Sequence, residues 1–168
     1  MIKVGDKLPA VTLAEYVEVE GNGCSIGPNP VDVTQAAAGK TIALFAVPGA
    51  FTPTCSAKHV PSYLQAHDAL IAAGVDESWC LSVNDAFVMG AWARDEKTAG
   101  KIRMLADGDA AFAKAAGLTL DLNGKGLGLR SNRYSMLVKN GQVATLNVEG
   151  PGKFEVSDGA TLLAQAKG

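Results

Sequence analysis

The sequence predicts an α/β fold, a mixed central sheet with helices on both faces. Three observations lead there. The run Thr41–Val47 (TIALFAV) is continuously apolar, as in a strand buried on both sides of a parallel sheet. Short apolar runs then alternate with helix-periodic stretches as far as residue 116. Further on, Asn140-Gly141 separates two strand-like runs, the signature of a type I′ hairpin. With 48% of its 168 residues apolar, the chain can bury a sizeable core as one domain, residues 1–168.

Residues 12–20 alternate weakly through Leu13, Tyr16, Val17 and Val19 and run into Gly21-Asn22-Gly23, a strand or hairpin with its turn. Residues 31–38 predict a short helical turn ended by Gly39. After the strand Thr41–Val47, Pro48-Gly49 stops the run, and Thr52-Pro53 opens a helix. The threonine hydroxyl can cap an orphan N–H, and proline has no N–H to lose at the first helical position. Pro61 lacks the N–H that the Ala57 carbonyl would need, so a kink is expected there, with helix resuming through Ala73. Val60, Leu64 and Ile71 form the stripe expected to face the sheet. Gly74 ends the helix, and residues 79–83 give a second strand, completing a right-handed parallel βαβ unit.

Asn84 or Asp85 caps a third helix carrying Phe87, Val88, Trp92 and Ala93 and ending by Gly100. Residues 102–106 read as a strand, and Asp109 as the cap of a helix over 110–116. Residues 118–132 read as a loop. Glycines 124, 126 and 128 are not a dinucleotide fingerprint, because they do not join a strand to a helix. Residues 134–138 and 142–148 are the hairpin strands, and a last helix covers 158–167. Successive βαβ units, a hairpin and a closing helix describe a thioredoxin-like layout.

The net charge of −2 provides no basic face for nucleic acid or anionic lipid. The apolar run at Thr41–Val47 is too short to cross a bilayer, and the N-terminal residues lack the long apolar segment of a signal peptide. Three cysteines (Cys24, Cys55, Cys80) do not make a secreted disulfide framework, and their spacing matches no zinc site. The expectation is a soluble protein of a reducing, cytoplasmic compartment, with no metal or organic cofactor. Counting from Pro53 as the first helical residue, Cys55 lies in the first turn. There, unpaired amides and the positive end of the helix dipole favour a thiolate over a thiol. That position suits a nucleophile.

The segment Pro48-Gly49-Ala50-Phe51-Thr52-Pro53-Thr54-Cys55 contains the PxxxTxxC motif of the peroxiredoxins. Together with VNDAFVMGAW at 83–92 and GLRSNRYSMLV at 128–138, it resembles the peroxiredoxin-5 (type II) subfamily, in its plant-like and bacterial glutaredoxin-linked branch. The resemblance implies an antioxidant thiol peroxidase that reduces hydrogen peroxide and alkyl hydroperoxides. Cys55 matches the peroxidatic cysteine. Thr52 matches the residue whose hydroxyl contacts thiolate and peroxide, and Pro48 the proline that shields the sulfur from water. Arg133 matches the arginine that favours thiolate and grips the peroxide oxygens, with Arg130 as second choice. His59, four residues after Cys55, matches the residue that helps orient the arginine. Cys80 matches the second cysteine of the plant-like branch and is the candidate for resolving a sulfenic acid at Cys55. Its place inside a strand puts it awkwardly far from Cys55 for a disulfide unless the first helical turn unwinds. Direct resolution by glutathione or glutaredoxin stands beside it as the other route. Thioredoxin is the further candidate reductant. The resemblance also implies a homodimer formed through the surface carrying Phe51 and Phe87. Cys24 matches no family position.

Bland alternatives stand beside each assignment. Cys80 can be a plain core cysteine, Arg133 a surface ion-pair residue and His59 an exposed helix residue without a role. Two other functions compete: a cysteine hydrolase or acyl-transferase using Cys55 and His59, and a non-catalytic thiol redox sensor. A thioredoxin-type oxidoreductase is disfavoured because the chain holds no C-x-x-C pair.

Overall fold

The computed structural model describes residues 1–21 and 25–168. The turn expected at Asn22-Gly23, and Cys24, lie outside the described residues. A seven-stranded mixed sheet is built from β1 (Thr12–Val17), β2 (Gly27–Asp32), β3 (Thr41–Val47), β4 (Glu77–Ser82), β5 (Arg103–Ala106), β8 (Tyr134–Lys139) and β9 (Gln142–Val148). Their order across the sheet is β2-β1-β5-β4-β3-β8-β9. The three central strands β3, β4 and β5 run parallel, joined by α2 (Val60–Ala72) and α3 (Ala86–Glu96). The pairs β3–β8, β8–β9, β1–β5 and β1–β2 are antiparallel. This is the thioredoxin-like α/β arrangement predicted.

The period of two along β3 divides the core. Ile42, Leu44 and Ala46 point to one face, packed with Trp79, Leu105 and Met136 beneath α1 (Val33–Ala37) and α4 (Ala111–Ala116). Ala43, Phe45 and Val47 point to the other, covered by α2, α3 and α5 (Gly159–Lys167). Cys55 and Cys80 both belong to this second cluster. Burial on both faces is why β3 reads as an unbroken apolar run rather than an alternating one. Among the described residues no helix is long and apolar enough to cross a membrane.

Several expectations are corrected. Residues 119–131 are not a plain loop: β6 (Thr119–Leu122) and β7 (Gly128–Ser131) pair as a separate two-stranded antiparallel sheet. The strand β2 went unread because Pro28 and Pro30 weigh against a strand; both are tolerated because β2 lies at the sheet edge. On α2, Ile71 is 46% exposed, and Tyr63, Ala66 and Leu70 take the sheet-facing places with Val60. The Tyr63 ring stacks on Phe45 with centroids 3.9 Å apart, which turns the stripe one residue round from the one predicted and leaves Leu64 at its margin. Asp109 does not cap α4. Asp107 does, its carboxylate accepting from Phe112 N and Ala113 N at 3.0 Å each. Asp85 caps α3 as expected, and Asn140 and Gly141 both hold positive φ, as a type I′ turn requires. The expected kink at Pro61 takes another form. Residues Cys55–His59 make a π-helical turn, with Val60 N bonded to Cys55 O, and Pro61 follows directly as the second residue of α2.

Candidate active site

The site lies where β3 ends. Pro48 to Thr52 must turn the chain from the sheet into the helix, and three contacts fix that turn. Ala50 N donates to Asn84 Oδ1 at 3.0 Å, which ties the turn to the residues just past β4. Arg130 Nη1 donates to Pro48 O at 3.3 Å. Thr52 Oγ1 donates to Gly49 O at 2.7 Å. Gly49 lets the Arg130 guanidinium approach, since a Cβ there would lie 2.8 Å from Nη1. Phe51 takes the left-handed φ of +60°, an uncommon conformation for a bulky residue and one that clusters at functional sites.

Thr52 therefore occupies the cap position without capping. Its hydroxyl proton goes back into the turn, while its carbonyl accepts from Ser56 N at 2.9 Å. The hydroxyl contact with the thiolate implied for Thr52 gives way to this bond, which closes the Gly49–Thr52 bend and leaves the oxygen lone pairs to accept. Pro48 is half-buried at the wall of the adjoining cleft.

Cys55 is fully buried, and its Sγ accepts a hydrogen bond from Arg133 Nη2 at 3.2 Å. Arg133 immediately precedes β8, next to β3 in the sheet, and so points from a rigid strand end at the helix start. The other arm of its fork, Nη1, donates to His59 Nδ1 at 2.8 Å. With Nδ1 accepting, the ring proton sits on Nε2, 2.9 Å from Ser157 O. Both ring nitrogens are thus committed. Burial, and then the Arg133 charge, lower the His59 pKa to about 3, so the ring is neutral at physiological pH. Phe45 and Phe154 flank it, with ring centroids 4.8 and 4.9 Å away.

The sequence-predicted Cys55, Arg133 and His59 are thus brought together, with Thr52 and Pro48 beside them. Cys80 is apart in one respect. It is fully buried in β4, paired in register with Phe45, and burial holds its thiol well above the ordinary range. Cys55 and Cys80 are both free thiols. Arg130, the second choice, contacts the Pro48 carbonyl rather than the sulfur.

Four contributors went unread. Tyr63 Oη donates to the same Ser157 carbonyl at 2.9 Å, and Phe154 lies under the Arg133 guanidinium at 5.9 Å. Glu149, just past β9, gathers the backbone that presents Ser157, and Ser157 supplies the acceptor. Only Tyr63 carried a local signal, its spacing of three from Val60 on the buried stripe. An open cleft of about 350 Å³ reaches the site, lined by Pro48, Thr54, Leu120, Lys125, Arg133 and Lys153 among others. Among the described residues no group of three or more His, Cys, Asp or Glu side chains is placed to hold a metal.

This arrangement can hold a sulfur as thiolate, and it offers a fixed cation to charge that develops within reach of that sulfur. It cannot use His59 as a base.

Comparison with known proteins agrees. The Redoxin family matches residues 3–163. Peroxiredoxin-2D of Arabidopsis thaliana is 42% identical over 96% of each chain. The crystal structure of reduced Prx3 from Vibrio vulnificus in complex with hydrogen peroxide is 49% identical, covering 99% of this chain and 97% of that one, with a TM-score of 0.90. A Burkholderia cenocepacia structure described provisionally as a thioredoxin reductase is 58% identical, covering 98% and 97%, with a TM-score of 0.96; the present chain has no C-x-x-C pair. With the family matched along nearly its whole length and a cysteine, an arginine and a neutral histidine converging at the helix start, the chain belongs to the Redoxin family and is a peroxiredoxin, a thiol-dependent peroxidase.

Proposed function

We propose that Cys55 is the peroxidatic residue of a type II peroxiredoxin that reduces hydrogen peroxide and alkyl hydroperoxides. The observation that carries this reading is the Arg133 fork, one arm on Cys55 Sγ at 3.2 Å and the other on His59 Nδ1 at 2.8 Å. The thiolate attacks the terminal peroxide oxygen, an S–O bond forms and the O–O bond breaks. The distal oxygen leaves as hydroxide or alkoxide and takes a proton from water, leaving Cys55 as sulfenic acid. Arg133 opposes the negative charge that moves from sulfur to the departing oxygen, Thr52 positions the peroxide through its free lone pairs, and Pro48 limits water. The hydrogen peroxide named with the Vibrio vulnificus relative supports that substrate class. The hydrolase reading fails on His59, whose two nitrogens are occupied by Arg133 and Ser157 and whose pKa is about 3.

Glutathione, with glutaredoxin, is the proposed reductant. Its thiol attacks the sulfenic sulfur, releases water and leaves a mixed disulfide for a second thiol to reduce; thioredoxin is the further candidate. Burial of Cys80 in a central strand, with its thiol held protonated, favours this external route over an internal disulfide. Any thiol must loosen the first helical turn to reach the buried Cys55, and the π-helical turn there, a rare form found mostly at functional sites, is a suitable point for it. Phe51 (52% exposed) and Phe87 (65%) support a homodimer through that face, and the proposed compartment is the reducing cytoplasm. The test is peroxide consumption with glutathione and glutaredoxin by wild type, Cys55→Ser and Cys80→Ser. Cys55→Ser should abolish turnover and Cys80→Ser should retain it. Turnover that survives Cys55→Ser refutes the assignment.

A further inference from the structure

Glu149 sits just past β9, 8% exposed, and its carboxylate is the hub of the segment that follows. Oε2 accepts from Glu155 N and Val156 N at 2.9 Å, from Ser157 N at 2.8 Å and from Ser157 Oγ at 2.6 Å. Oε1 accepts from Glu155 N at 2.9 Å. Glu149 N in turn donates to Arg133 O at 3.0 Å. The segment gathered in this way delivers two groups to the active site. The Ser157 carbonyl accepts from His59 Nε2, and the Phe154 ring packs against both His59 and Arg133. A chain of direct contacts therefore runs from the Glu149 carboxylate through Ser157 and His59 to Arg133 and the Cys55 sulfur.

We infer that Glu149 is a positioning residue for the peroxidase reaction, holding residues 155–157 so that Ser157 fixes the His59 tautomer and His59 in turn fixes the Arg133 fork on Cys55. This rests on the proposed peroxidatic role of Cys55. The physical need is clear. A neutral imidazole has one donor and one acceptor, and only the tautomer with hydrogen on Nε2 leaves Nδ1 free to accept from Arg133. Without the Ser157 carbonyl the Nε2 proton is buried without an acceptor, the ring loses its second anchor, and the acceptor that aims Arg133 is no longer held in place. Electrostatics alone would give the opposite sign, because removing a negative charge from this neighbourhood favours a thiolate. The sign of the effect therefore separates positioning from charge.

The experiment is a double-mutant cycle in the full chain, with Glu149→Gln, Arg133→Gln and the pair. Two quantities are measured: the stopped-flow rate of oxidation by hydrogen peroxide, and the pH dependence of Cys55 alkylation by iodoacetamide, followed by peptide mapping. Glutamine keeps the size of the side chain but turns an NH₂ group toward N–H donors. Glu149→Gln should slow oxidation at neutral pH about tenfold, the loss of roughly one hydrogen bond to a charged group. It should also move the alkylation midpoint to higher pH. In the Arg133→Gln background it should add less than about twofold, because the arm it positions is gone. Ser157→Ala, which removes only the 2.6 Å hydroxyl contact, should shift both readouts the same way by less, and it decides the matter if Glu149→Gln does not fold. An unchanged rate, a midpoint moved to lower pH, or losses that multiply in the double variant overturn the inference. If Arg133→Gln alone leaves oxidation unchanged, the peroxidatic reading falls and this inference with it. If Arg133→Gln slows oxidation and Glu149→Gln does not, only the inference falls.

Discussion

Replacing Arg133 by glutamine tests the centre of the site. The substitution removes the cation 3.2 Å from Cys55 Sγ and the donor 2.8 Å from His59 Nδ1, while keeping a planar amide of moderate length. A hydrogen bond to a charged group contributes about 1.5–3 kcal/mol. At about 1.4 kcal/mol per decade this corresponds to a loss of roughly 10- to 100-fold in the rate of peroxide attack at neutral pH. The estimate is a floor, because the amide also fails to oppose charge on the departing oxygen. Trp92 provides the signal. It is buried, and its Nε1 donates to Ser56 Oγ at 3.0 Å, one residue from Cys55. The assay is stopped-flow fluorescence of the reduced protein mixed with excess peroxide, at several peroxide concentrations. A second-order rate within threefold of wild type would refute the reasoning, since neither arm of the fork would then matter to the reaction.

Three further outcomes follow from the packing. His59 has a folded pKa of about 3 against an ordinary 6.5, so below pH 6.5 the unfolded chain binds a proton that the folded one refuses. That contribution to stability is intact above pH 6.5 and is lost progressively as pH falls toward about 3. At pH 4.5 the loss amounts to about 2–3 kcal/mol, visible as a steeper acid loss of Tm in wild type than in His59→Asn; equal slopes would contradict it. Asp107→Ala should cost about 1–2 kcal/mol, because it strands the Phe112 and Ala113 N–H groups at the start of α4; denaturant unfolding with no loss of midpoint would rule that out. Gly159→Ala would drive a methyl into Ser62 O, so α5 must shift off α2, at about 1–3 kcal/mol by thermal melting, and a neutral result would contradict this.

The sulfur half of the site was legible because its causes are local. Thr52-Pro53 marks the helix start, and position three places Cys55 in the first turn whatever the tertiary structure does. The fold was legible for the same kind of reason: an apolar run such as Thr41–Val47 has few places to go but the middle of a sheet. What sequence reading missed depends on partners far along the chain. Glu149 reads as one more acid before Gly-Pro-Gly. Its meaning comes from Ser157, which binds His59 across a separation of 98 residues. The helix stripe was misplaced because Phe45, from another element, decides that Tyr63 rather than Leu64 lies over the sheet. The β6–β7 pair was hidden by glycines at 124, 126 and 128, which suggested a loop where they in fact form the turn and edge of a short ladder. Thr52 offered the right residue at the cap position, and only the bend at Gly49 shows where its proton goes.

The histidine explains why this site is a peroxidase rather than a hydrolase. Acyl transfer by cysteine needs an imidazole that takes a proton from the thiol and returns it to a leaving group, and so a histidine that titrates near neutrality. Attack on a peroxide has no such need once the sulfur is already ionised, because hydroxide or alkoxide leaves as an anion and water can protonate it. What the reaction requires is a cation that stays in place while charge moves past it. His59 meets that requirement by being unable to titrate: were it to gain a proton, Nδ1 would become a donor facing another donor, and the Arg133 fork would lose one arm. The burial that lowers the imidazole pKa to about 3 is therefore the same burial that keeps the guanidinium aimed at Cys55 across the physiological pH range.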